Sequence, residues 1–198
     1  MSLELVNALA SLLTVIIVAA TAIAALVQLR HLRAGNQINA MLSIGEKMSS
    51  QAFTDAGLLV RQKVEAAQDD PRFRDYIIAF ARGQAVSDVG VGFEQLVNSI
   101  NLVGNSFEEL AILVKGGIVD KGLFLDRYAL VIVGHWKRSV KLLALAREAS
   151  GQVAIWENFE YLAMLSEDWL KHNPSLYPSG VRRMSVRNPW PLTASAAS

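Results

Sequence analysis

The sequence predicts an all-α protein: one N-terminal transmembrane helix followed by a cytoplasmic helical bundle. Three observations predict it. Leu5 to Leu29 is a run of 25 residues without a charge, bounded by Glu4 and Arg30. Beyond it, apolar residues recur at the three-and-four spacing of helices that face a core. No alternating run bounded by turn residues, the mark of a strand, occurs along the chain.

The first element is the apolar run. At ~1.5 Å per residue its helix is roughly 37 Å long, enough to cross a ~30 Å hydrocarbon core with some tilt. Twelve residues between Leu5 and Val27 are Leu, Ile or Val, together worth roughly −4 to −7 kcal/mol on an insertion scale. Asn7 and Gln28 stand near the ends. Ser11, Thr14 and Thr21 can bond back to their own helix backbone. A core helix of a soluble protein is usually shorter. Ala20-Thr21-Ala22 and Ala22-Ile23-Ala24 have the form of signal-peptide cleavage sites, but Met1 to Asn7 holds no Lys or Arg. A retained anchor is therefore expected. Arg30 and Arg33 follow the span and only Glu4 and the α-amine precede it. Basic residues stay on the cytoplasmic side. This places the chain in the inner (plasma) membrane as a single-pass protein, N-terminus outside and residues 30–198 inside. No ionisable residue lies within the span, which argues against an ion path.

The helix is expected to continue through 34–50, with Ile38, Met41, Leu42, Gly45 and Met48 on one face. Ser49-Ser50 and Thr54-Asp55 are candidate restarts. A second stretch carries Leu58, Leu59, Val64 and Ala67 to about Gln68. Asp70-Pro71 reads as N-cap and first position of a short helix with Phe73, Tyr76, Ile77 and Phe80. The next helix has the most regular stripe: Phe93, Leu96, Val97, Ile100, Val103, Gly104, Phe107, Leu110, Ala111 and Val114. Gly104 on that stripe permits close approach of a neighbour, and Gly116-Gly117 ends the helix. Asp120 can cap a helix running to about Ala149, with Leu125, Tyr128, Ile132, Trp136, Val140 and Leu143 inward. A last helix is expected over 153–171, with Trp156, Phe159, Leu162, Ala163 and Trp169 inward, closed by Asn173-Pro174. The chain thus divides into an anchor with its basic flank (1–33), a helical bundle (34–172) and an irregular or disordered basic tail (173–198), which holds four of the five prolines.

Composition narrows the chemistry. There is no Cys, which excludes disulfides, thiol nucleophiles and thiolate metal sites. Net charge is +1, yet residues 35–171 hold 14 Lys/Arg against 17 Asp/Glu, giving −3. A mildly acidic folded part is a poor partner for nucleic acid. Asp168 and His172 stand four apart, a ligand-compatible spacing on a helix. A lone pair leaves a metal under-coordinated, and a cation suits a helix C-terminus. His135, beside Trp136 and Lys137, reads as a partly exposed or satisfied histidine. Glu157 and Glu160, like Glu108-Glu109, are either carboxylates for acid/base work or a solvated helix shoulder. Asn98, Asn101 and Asn105 recur at steps of three and four and need partners if buried. No phosphate-loop, dinucleotide or nucleophile-elbow motif occurs, and no cofactor or metal is expected.

Several stretches are distinctive as sequence. They are Gln28-Leu29-Arg30 after the span, residues 107–120 (FEELAILVKGGIVD), the His135-Trp136 pair and residues 157–163 (ENFEYLA). Together they resemble the uncharacterised bacterial domain-of-unknown-function family 4760, over about residues 5–171. That resemblance implies an N-terminally anchored, all-helical cytoplasmic domain. It implies no activity, so no catalytic residue is carried over from it.

The function expected is a membrane-anchored binding or scaffold module at the cytoplasmic face, with the lipid bilayer, a protein partner or a second copy as partners. The alternative is a membrane-associated enzyme using the carboxylates of the last bundle helix. In the tail, Arg182, Arg183 and Arg187 interleave with Val181, Met184, Val186, Trp190 and Leu192. Such a segment suits an anionic lipid surface. Its composition fits a plain disordered tail equally well.

Overall fold

A computed structural model of the chain describes residues 2–85, 92–175 and 177–187. Among the described residues are six helices and no strand. Helix α1 (Leu3–Ser49) is one unbroken rod of 47 residues that runs through the expected 33/34 boundary. Every residue from Ser2 to Asn36 is exposed. Among the described residues, α1 alone is long and apolar enough to cross a membrane. Thr14 and Thr21 donate their hydroxyls back to the carbonyls of Ala10 and Ile17, at 2.9 and 2.8 Å.

The far end of α1 packs on the bundle, by a different face from the one expected. Ile44, absent from the expected stripe, is 3% exposed. Ala40, Met41 and Met48 pack beside it. Ile38 and Leu42, expected inward, are 60% and 62% exposed. The helix carries two apolar faces, and only one meets the core.

Ser50 breaks the rod in extended backbone (ψ 147°) and caps α2 (Gln51–Asp69), its hydroxyl accepting from the Phe53 N–H. Thr54 and Asp55 lie inside α2 and restart nothing. The buried face of α2 is Phe53, Ala56, Gly57, Val60 and Val64. Leu58 is exposed and Leu59 half-buried, one residue round the helix from the face that packs. Helix α3 (Pro71–Ala81) starts as its sequence dictates, with the Asp70 carboxylate accepting from the Arg72 N–H at 2.9 Å. Phe73, Tyr76 and Ile77 are buried; Phe80 is exposed.

Helix α4 (Phe93–Lys115) buries the whole expected stripe except Phe93, which is half-buried. It ends at Gly116, followed by Gly117 with φ 65°. Asp120 then caps α5 (Lys121–Ser150) through the Leu123 N–H. Val140, expected inward, lies on the exposed side of α5, and Trp136 is half-buried. Helix α5 ends at Gly151 in the left-handed region. Helix α6 (Glu157–His172) begins four residues later than expected, because 152–156 are taken up by a turn that ends at Trp156.

The core centres on Phe107 of α4. It stacks on Phe159 of α6 (5.0 Å between centroids, 25°) and meets Phe53 of α2 edge-on at 5.8 Å. Trp136 of α5 meets Phe159 edge-on at 5.2 Å. Such pairs add about 0.5–1.5 kcal/mol each beyond the area they bury. Helices α2, α4, α5 and α6 are thus locked through one aromatic cluster. The polarity of the bundle follows from its contacts. Gly45 and Lys47 of α1 meet Tyr128 of α5 and Glu109 of α4, both within two turns of the α4–α5 connection. Trp169 of α6 packs against Gly122. The chain therefore joins and leaves the bundle at one end.

Candidate functional site

The α4–α6 junction gathers several of the polar residues that the sequence singles out, Asn105, Glu108 and Glu160 among them. Helix α6 opens at Trp156, a bulky residue in the left-handed region (φ 54°), which provides no side-chain cap. The cap comes from another helix. Glu108 of α4 accepts from the Asn158 N–H (3.3 Å), the Asn158 carboxamide (2.7 Å) and the Phe159 N–H (2.7 Å). A carboxylate at a helix N-terminus satisfies orphan donors and complements the helix dipole. Glu108 is thus a docking group, neither a solvated shoulder nor a free acid. Its neighbour Glu109 pairs with Lys47 instead.

Trp156 is held from three sides. Its indole N–H donates to Asn105 Oδ1 at 2.8 Å. Its ring lies flat on Gly104, where a Cβ would sit 2.1 Å from the ring. Arg147 donates twice to the carbonyl of Ile155, at 3.0 and 2.8 Å. Positive φ in a bulky residue costs of order 1–3 kcal/mol and persists only where the surroundings fix it. Behind the indole lies an apolar cavity of about 110 Å³, lined by Ile77, Val97, Ile100, Leu142, Ile155 and Trp156 among others. Half-buried Asn101 is its polar lining residue.

Glu157 and Glu160 have different surroundings. Glu157 is exposed, and the Glu160 carboxylate lies 2.7 Å from Arg147 Nη1. Of the three asparagines, Asn98 and Asn105 are exposed, and Asn105 serves Trp156. Asn98 lines an open groove between α2 and α4 of about 580 Å³, with Asp55, Gln62, Glu94, Gln95 and Ser99. No Lys or Arg lines that groove, so it offers hydrogen bonds and negative charge.

His135 corrects the sequence reading. It is only 6% exposed, packed against Gly57, Phe53 and Phe107, and its Nδ1 has no hydrogen-bond partner among the described residues. Burial, then the positive charges of Arg138 and Arg61, hold its pKa down at about 4, so the ring is neutral at physiological pH. At the end of α6, the ring of His172 meets the backbone carbonyl of Asp168 at 2.7 Å, and the Asp168 carboxylate lies 3.4 Å from Lys171. The pair does not converge on one point. Among the described residues no group of three or more His, Asp or Glu could hold a metal ion.

Arg30 and Arg33 stand exposed on α1. The tail leaves α6 beside Lys121 and Leu125, which share a surface depression with Trp169, His172 and Asn173. Arg182, Arg183 and Arg187 are exposed. Arg183 is tied locally: it donates to Ser175 Oγ at 2.6 Å and lies 4.9 Å from the ring of Tyr177. Trp190 and Leu192 lie outside the described residues.

Sequence reasoning found Gly104 and the asparagines but missed Glu108 as a cap and Trp156 as a strained junction. The only local hint was the absence of Ser, Thr, Asp or Asn just before Glu157, which left a helix start without a cap of its own.

Neither a curated protein nor a solved structure matches the chain. The family model described as Domain of unknown function (DUF4760) matches residues 15–169. The match begins inside the apolar half of α1 and stops before the tail, so the family's common unit joins part of that apolar helix to the bundle. On this match, the chain belongs to the DUF4760 family.

Proposed function

We propose that the protein is a membrane-anchored helical binding module that holds its bundle at the cytoplasmic face of the inner membrane. The observation that carries this reading is α1. Its first half is apolar and exposed on every side, while its last turns pack on the core without an intervening break. A helix apolar all round and covered by none of the described residues suits hydrocarbon. Arg30 and Arg33 at its inner flank favour an outside N-terminus. The test uses single cysteines in an otherwise cysteine-free chain. A cysteine at Ser2 is expected to react with an impermeant reagent on intact cells, and one at Ser150 only after lysis. The reverse pattern refutes the orientation. Recovery in the soluble fraction refutes the anchor.

The tail extends the same reading. It leaves the bundle at the end where α1 joins it, so Arg182 and Arg187 start near the membrane surface that α1 would cross. Each Arg near an anionic surface adds about 1 kcal/mol, and the tether raises the local concentration of lipid. In this reading Arg182, Arg183, Arg187 and Trp190 contact lipid headgroups.

A further inference from the structure

The apolar run of α1 contains five polar side chains: Asn7, Ser11, Thr14, Thr21 and Gln28. Their spacings are 4, 3, 7 and 7. All five therefore fall on two of the seven positions of a heptad, the a and d positions that line one seam of a helix. The same register continues beyond the run through Leu32, Gly35, Asn39 and Leu42. Its remaining members inside the run are Val18 and Ala25, and the charged residues of the register, Glu4 and Glu46, lie outside the run at either end.

The fold leaves this seam uncovered. The bundle packs on Ala40, Met41, Ile44 and Met48. In the same register these are b, c, f and c positions, on the side away from a and d. The exposed Leu42 lies on the seam and the exposed Ile38 beside it. A concavity of about 570 Å³ runs along the seam, lined by Gln28, His31, Leu32, Gly35, Asn36 and Asn39. A Cβ at Gly35 would meet nothing within 4 Å. Arg30 and Arg33 fall at f and b positions, so like charges of two paired helices point apart.

Resting on the anchor reading above, we propose that α1 pairs in parallel and in register with a second copy of itself along this seam. The seam selects its own copy. A carboxamide is both donor and acceptor, so Asn7 opposite Asn7 and Gln28 opposite Gln28 are matched pairs. Neither has a hydrogen-bond partner in its own chain among the described residues. Hydrocarbon has nothing to offer them, and a neighbouring helix supplies a matched partner beside the headgroups and water near the ends of the run. Copies inserted by the same flanking charges share one direction, which makes the pair parallel. A strict seven-residue repeat on a 3.6-residue helix closes as a left-handed supercoil.

The test is a cysteine scan of the full chain in membranes under mild oxidation. Thr14→Cys, Val18→Cys, Thr21→Cys and Leu42→Cys are expected to give a disulfide-linked dimer of twice the chain mass. Ile16→Cys and Ile23→Cys, at f positions, are expected to give little. Gln28→Leu is expected to weaken dimerisation about three- to tenfold, the effect of losing one interhelical polar contact. A flat profile, a maximum at Ile16 and Ile23, or a product with another protein's mass overturns the proposal. Membrane sedimentation of the same samples tests the anchor separately. Seam-periodic dimers support the pairing wherever the protein sediments, and their absence from membrane-bound protein refutes it while leaving the anchor intact.

Discussion

Replacing Gly104 with Ala adds one methyl to a helix and would ordinarily stabilise it by about 0.8–1.0 kcal/mol. Here the reverse is expected. The new Cβ would lie 2.1 Å from Cζ2 of Trp156 and 2.4 Å from both Cε2 and Cη2. Ordinary contact begins near 3.4 Å, so the ring must retreat by at least 1.3 Å. Movement on that scale breaks the 2.8 Å bond from the indole to Asn105. Overpacking costs about 1–3 kcal/mol and the lost hydrogen bond about 1. Set against the helix gain, the net loss is about 1–3 kcal/mol. Urea unfolding of the detergent-solubilised protein, followed by circular dichroism, measures it. The decisive comparison is a double-mutant cycle. In a Trp156→Ala background the clash has no partner, so Gly104→Ala should become neutral or stabilising. If the two substitutions instead add, with coupling below about 0.5 kcal/mol, Trp156 does not seat on Gly104 and the junction is misread.

His135→Leu removes a buried imidazole whose pKa is about 4, below the ordinary 6.5. Above pH 6.5 the two states bind equal protons; below it the unfolded chain binds more, so wild-type stability falls between pH 6.5 and 4, by up to about 3 kcal/mol. The variant should lose that much less over the same range, and parallel curves would show that His135 does not titrate as a buried group. Glu108→Ala strips three hydrogen bonds from the start of α6 and should cost about 1–3 kcal/mol. Glu109→Ala, which removes an exposed ion pair, should cost under about 1, and equal losses would rule out the capping role. A fragment spanning residues 36–198 should bind anionic vesicles more strongly than one ending at 172, with added salt weakening the difference. Equal binding would end the case for a lipid-contacting tail.

The elements that were legible in sequence are those set by local chemistry. Asp70-Pro71 and Asp120 cap helices through hydrogen bonds two or three residues away, so their meaning is written in adjacent positions. The α4 stripe was legible because one side of a long helix is apolar and the other is not. Helix α1 defeated the same reasoning near residue 40. It has apolar residues on two sides, and periodicity alone does not say which side meets the bundle. Ile44 was missed and Ile38 and Leu42 misassigned for that reason. His135 was read from its neighbours Trp136 and Lys137, yet each step along a helix turns about 100°, so adjacent residues say little about its burial. The cap from Glu108 links positions 50 residues apart and has no local trace. The left-handed backbone of Trp156 is imposed by Gly104, Asn105 and Arg147 together, and a bulky residue in that region has no sequence signature.

The unbroken course of α1 has a mechanical consequence. Arg30 and Ile44 belong to one rigid helix, separated by ~21 Å along its axis. A helix without a kink transmits both tilt and twist along its length. If its apolar half lay in a bilayer and tilted by ~20°, an ordinary angle for such helices, Ile44 and the core packed on it would swing sideways by roughly 7 Å. Rotation about the axis would turn the bundle through the same angle. Inserted in that way, the protein would be geared as a shaft, with bilayer thickness or a neighbouring shaft at one end and the orientation of the Phe107 core at the other.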